Sequence, residues 1–185
     1  YMAQRMGSLS SSYKSSRKKR VEIIMKIYAL TTLQRYAIEI DVRLFDSIKQ
    51  CQKEYDLLIK DYENDKYYTV NKGTKHTEIE YDESPEILVS IQNYELNDVI
   101  DNQVHCVIKG NQDCYYLNNE NLYLFNNQTK ARKQFFDILI EHEEEECGIE
   151  DVQVKYNEEY FSFDDDEYEW GHCRTELIKI ESEMK

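Results

Sequence analysis

Between Arg17 and Asp65 the chain contains neither glycine nor proline. Those two residues interrupt helices, one by backbone freedom and the other by a missing N–H and a fixed ring, so so long a run without them admits one continuous helix. About 45 helical residues would span roughly 65 Å. In the C-terminal part, Leu44, Ile48, Cys51, Tyr55, Leu58 and Tyr62 recur at alternating steps of four and three, the spacing of a coiled-coil seam. Leu33, Ala37 and Ile40 continue it upstream, with a stutter between Ile40 and Ile48. Thr31-Thr32 is β-branched and poor for helix, which would fold the segment into a hairpin. The expectation is a helical segment over 17–65, a long N-terminal helix or helical hairpin, acting as the seam of a homo- or hetero-oligomer. Docking of the same apolar positions on the rest of the chain is the competing use.

Past Asn64-Asp65 the texture changes to short runs separated by turn residues. Tyr67–Val70 and His76–Tyr81 flank Asn71-Lys72-Gly73-Thr74 as a hairpin. Glu86–Asn93 reads as a short helix or a strand. Val104–Ile108, Cys114–Leu117 and Leu122–Phe125 read as three antiparallel strands joined by Asn- and Gly-bearing turns. Asn126-Asn127 then caps an amphipathic helix from Gln128 to about Glu146, with Gly148 as its stop, and further strand-like runs lie at Val152–Tyr156, Tyr160–Phe163, Tyr168–Trp170 and Leu177–Ile180. No repeat is visible at a period of 20 to 50 residues. The expected fold class is α+β: the N-terminal helical segment followed by a small antiparallel sheet packed with one main helix. The expected organisation is a flexible Ser-rich tail over 1–16, the helical segment over 17–65 and an acidic module over 66–185.

Charge divides along the same line. Up to Arg35 there are eight Lys or Arg against the single acid Glu22, a net of +7; from Tyr36 onward 15 basic residues face 36 acids, a net of −21. An acidic body repels phosphates, so nucleic acid would be met only weakly, through the basic cluster Lys14, Arg17, Lys18, Lys19 and Arg20. A protein partner with a basic surface suits the body better. Its candidate docking residues are Glu141, Glu143, Glu144, Glu145 and Glu146, placed in the last turns of a helix where the dipole disfavours them, and the run Asp164, Asp165, Asp166 and Glu167. The second run lacks the glycine and spaced acids of a calcium loop.

Without an 18-residue apolar stretch or a signal-peptide pattern, a membrane span is not expected. Five unclustered cysteines suit a reducing, intracellular setting, cytoplasmic or, in a eukaryote, nuclear. Heavy use of Ile, Lys, Asn and Tyr is that of an AT-rich coding genome. His105-Cys106, His142 with Cys147, and His172-Cys173 place histidine near cysteine three times, but not at the two-to-four-residue spacing of structural zinc sites, and no metal or cofactor is expected. Phosphate-binding, metalloprotease, hydrolase and kinase signatures are absent. The reading that follows is a non-enzymatic interaction or assembly protein. Its alternatives are a small inhibitor or immunity-type protein whose acidic surface imitates nucleic acid, and an enzyme or zinc protein using the His and Cys residues.

Overall fold

The computed structural model describes residues 24–34, 39–74, 76–82, 84–111, 121–144, 148–155, 158–165 and 169–182. Among them, the same succession of two strands, a helix and three strands occurs twice. The first half holds β1 (Ile24–Gln34), β2 (Glu39–Phe45), α1 (Ile48–Glu63), β3 (Tyr68–Lys72), β4 (Thr77–Tyr81) and β5 (Ser84–Asn97). The second holds β6 (Gln103–Asn111), β7 (Leu122–Phe125), α2 (Gln128–Glu144), β8 (Gly148–Lys155), β9 (Glu158–Asp165) and β10 (Glu169–Glu181).

Pairing repeats as well. The first half runs β3-β4-β5-β1-β2 and the second β8-β9-β10-β6-β7, each antiparallel throughout. The halves join where β10 meets β2 in a short parallel ladder, Ile180 opposite Leu44 and Glu181 opposite Phe45. There the Asp46 N–H donates to the Glu181 carbonyl at 3.2 Å. At the matching place across the molecule, the Asn126 side-chain amide donates to the Asn97 carbonyl at 2.8 Å, closing β7 on β5. The two junctions fall at equivalent places in the two halves. The duplication has a period of about 80 residues, which is why a scan at 20 to 50 misses it. It shows in the sequence once the register is known: Leu44-Phe45-Asp46-Ser47 stands where Leu124-Phe125-Asn126-Asn127 stands, and each opens a helix.

Leu-Phe works the same way in both halves. Alternate strand residues face opposite sides, so Leu44 and Leu124 enter a shared central core while Phe45 and Phe125 pack beneath their helices. That central core draws Ile27, Ala29 and Leu33 from β1, Ile40 and Val42 from β2, Val104 and Ile108 from β6, and Ile180 from β10. Neither α1 nor α2 covers this side; the two halves bury it against each other. Each helix lies outside, α1 over Leu30, Phe45, Ile79 and Val89, and α2 over Val107, Phe161 and Cys173. Turns are made with few glycines: Asp98, Asp101 and Asn102, between the halves, take φ of 52°, 53° and 54°, the left-handed region that Asp and Asn tolerate better than other side chains do.

Several expectations are corrected here. Among the described residues, 24–65 form no long helix, helical hairpin or coiled coil, and the expected α+β body with one main helix is replaced by ten strands in one hydrogen-bonded network with two helices. Ile24–Gln34 and Glu39–Phe45 are strands. Ala29, Leu30 and Thr31 are buried in succession, because β1 is covered on both faces, and a strand so covered loses the alternation that would have distinguished it from helix. Of the supposed seam, Leu44 belongs to β2. Cys51, Tyr55, Leu58 and Tyr62 pack, with Ile59, on the sheet of their own chain, and Ile48 is left exposed. Gly148 opens β8 rather than capping α2, while Glu86–Asn93 takes the strand of its two expected alternatives. Cys114–Leu117 lies outside the described residues.

Candidate functional site

α1 divides cleanly into two faces. Cys51 and Ile59 are buried; the Tyr55 hydroxyl shares a hydrogen bond of 2.5 Å with the Thr77 hydroxyl, and the Tyr62 ring meets the Tyr68 ring edge-on at 5.1 Å. The outward side carries Ile48, Lys49, Gln52, Lys53, Asp56, Leu57 and Lys60, which line an open groove of about 560 Å³. Leu57 is 50% exposed although it sits mid-helix. Gln52 donates to the Asp56 carboxylate at 2.9 Å, so that acid is already engaged. Lys49, Lys53 and Lys60 form no ion pair among the described residues, in a chain of net charge −14. Three cations without ion-pair partners among the described residues thus stand beside exposed aliphatic carbon.

The outer side of α2 has the opposite character at its C-terminal end. Ile140 is half exposed, and Glu141 and Glu143 are exposed beside it. On the edge strand β8, Val152 and Val154 are each 49% exposed. Val154 lies opposite Glu159, whose side chain reaches Arg132 of α2, so Val154 stands on the α2 side of the sheet. Of the other acids singled out above, Glu144 belongs to α2, Asp164 and Asp165 to β9, and Glu145, Glu146, Asp166 and Glu167 lie outside the described residues. The basic cluster Lys14, Arg17, Lys18, Lys19 and Arg20 also lies outside them.

Among the described residues, buried and partly buried charged groups gather in three places. Beneath α2, the Glu159 carboxylate, 1% exposed, stands 2.7 Å from the Arg132 guanidinium, while the Thr175 hydroxyl donates to its other oxygen and accepts the Glu159 N–H at 3.0 Å. His105 borders the same enclosed space; burial pushes its pKa down, and Glu159 opposes the shift. Beside the central core, Arg174 donates to His172 Nε2 at 3.1 Å and to the Ile40 carbonyl at 2.5 Å. Burial, then the Arg174 charge, hold the His172 pKa down to about 4, in keeping with a neutral imidazole that accepts. At the β2–β10 junction, Arg43 is held by both Glu181 oxygens at 2.9 Å and by Glu54 at 3.0 Å, which raises its already high pKa.

Of the three histidine–cysteine neighbourhoods, Cys147 lies outside the described residues. Cys106 belongs to the central core and Cys173 to the α2 core, and burial pushes their thiols up, the second to about 12. His142 is buried against Phe161, its ring centroid 6.1 Å away. Among the described residues no three His, Cys, Asp or Glu gather as metal ligands, and no helix is long and apolar enough to cross a membrane.

The outward lysine set on α1 lies opposite the four-three stripe of the same helix, and its sequence signal is Leu57, an aliphatic residue on the polar face. The Arg132–Glu159 pair carried none, since the two residues come from a helix and a strand 27 positions apart. Comparison of the chain with protein-family models, curated proteins and solved structures finds no match.

Proposed function

We propose that this chain is a non-enzymatic interaction protein whose working surface is the outer face of α1, and that the surface takes an acidic protein segment bearing apolar side chains. The observation that carries this reading is the placement of Lys49, Lys53 and Lys60, without acidic partners among the described residues, around the half-exposed Leu57. Burying an exposed aliphatic side chain contributes about 1.5–3 kcal/mol, and lysines at the rim add association rate and choice of partner more than affinity. The acids at the end of α2 support a complementary surface for a basic partner.

A fluorescent amphipathic peptide of alternating Glu and Leu helical faces tests the reading. It should bind the full chain, bind more weakly as salt rises, and lose at least about tenfold in affinity on Leu57→Asp, a substitution at an exposed position. Equal affinity for both proteins, or none for either, overturns the proposal.

A further inference from the structure

The acidic, apolar surface that fits the outer face of α1 is present on the same molecule. We infer that the partner is a second copy of this chain, whose α2 and β8 side docks on α1, so that copies assemble head to tail. The inference rests on the reading of α1 just given and names the occupant of that face.

Both surfaces pair exposed aliphatic carbon with charge of one sign. α1 offers Leu57 with Lys49 and Lys53; the other side offers Ile140 and Val154 with Glu141 and Glu143. They cannot meet within one molecule, because the two helices lie on the outside of a core that the halves bury between them. They lie on different helices of one chain, so each copy carries one donor and one acceptor surface. A contact between unlike surfaces is heterologous: each bound copy leaves one free surface of each kind, and the series ends only if the rotation closes a ring. Their side chains make the two surfaces opposite in charge. An isologous dimer would instead set lysine against lysine across α1.

Sedimentation velocity on the full chain tests this. The weight-average mass should rise with concentration beyond that of a dimer, and should fall as salt is raised. Leu57→Asp and Ile140→Asp each spoil one surface and should each sediment as monomers. Mixed, they retain one intact surface of each kind and should form a one-to-one dimer that grows no further. A one-to-one dimer in the mixture with monomers apart supports head-to-tail assembly. A wild-type chain that stays monomeric, or a dimer that stops growing and survives in either variant alone, overturns it. A monomer that still binds the Glu/Leu peptide through Leu57 leaves the docking reading standing and removes only the second copy as occupant. A monomer that binds no peptide removes both. Far-UV circular dichroism of the two variants, expected to match the wild type, keeps loss of fold from counting as loss of contact.

Discussion

The two halves share strand order and helix register, yet they fill the space between helix and sheet by different chemistry. In the first half, a polar cavity of about 210 Å³ lies beside α1, bordered by Gln52, Tyr55, Thr77 and Ile91. In the second, the matching space has shrunk to about 10 Å³, bordered by Arg132, Thr175 and Glu159. Arg132 occupies the helix position of Gln52, and Thr175 the strand position of Ile91. One half closes on a buried ion pair, and the other stays partly open around a tyrosine–threonine hydrogen bond. The same backbone can thus be completed by neutral or by ionic side chains, but the ionic version demands closure, because an unpaired charge cannot be left in a dry space.

The largest expected effect is on that ion pair. Arg132→Ala should cost about 3–5 kcal/mol in urea denaturation, since it strands a carboxylate that is 1% exposed. Gln52→Ala, the same change in the first half, should stay within about 0.5 kcal/mol. Similar losses at both positions would show that the halves do not differ in the way described.

Next comes pH. His172 occupies the place that the apolar Leu88 holds in the first half, and its folded pKa of about 4 lies below the ordinary 6.5. The unfolded chain therefore takes up the proton first as pH falls. The contribution of a neutral His172 is complete above about pH 6.5 and is lost between there and 4, a change on the order of 2 kcal/mol. His172→Leu should flatten the slope of unfolding free energy against pH within that window. An unchanged slope would assign it to other groups.

The smallest effect belongs to the open side. Tyr55→Phe leaves the buried Thr77 hydroxyl without its 2.5 Å partner and should cost about 1 kcal/mol. Water entering the neighbouring cavity would replace the lost bond, so a cost near zero would mark that cavity as hydrated in the native protein.

Which parts could be read from the sequence follows the same division. In the second half, Asn127 accepts the Lys130 N–H at 3.0 Å, a helix cap visible in the sequence, and α2 begins at Gln128 as that cap implies. In the first half, Ser47 stands at the corresponding position without a side-chain cap bond, so nothing separated α1 from the strands before it. The run Ile24–Leu33 then reads as well for helix as for a strand buried on both sides, and only tertiary packing decides between them. The hairpin of β3 and β4 was legible because Asn, Lys, Gly and Thr mark its turn. The face proposed for docking is not the one the sequence pattern marks: the four-three spacing marks the inward side of the same helix, which packs on the sheet.

The ladder between β2 and β10 also sets when the protein can fold. Glu39–Phe45 must wait for residues near Ile180, more than 130 positions later, before one side of its sheet is covered. During synthesis, at about 5–20 residues per second, the finished first half spends on the order of ten seconds with Ile27, Leu33, Ile40 and Leu44 facing water. Contacts this distant along the chain slow folding and prolong exposure to aggregation. The nascent chain therefore carries, until its last strand emerges, a sticky sheet whose natural cover is its own second half, and a neighbouring chain's second half would fit there as well. Domain exchange between ribosome-bound copies is the error to which a duplicated fold of this kind is most open.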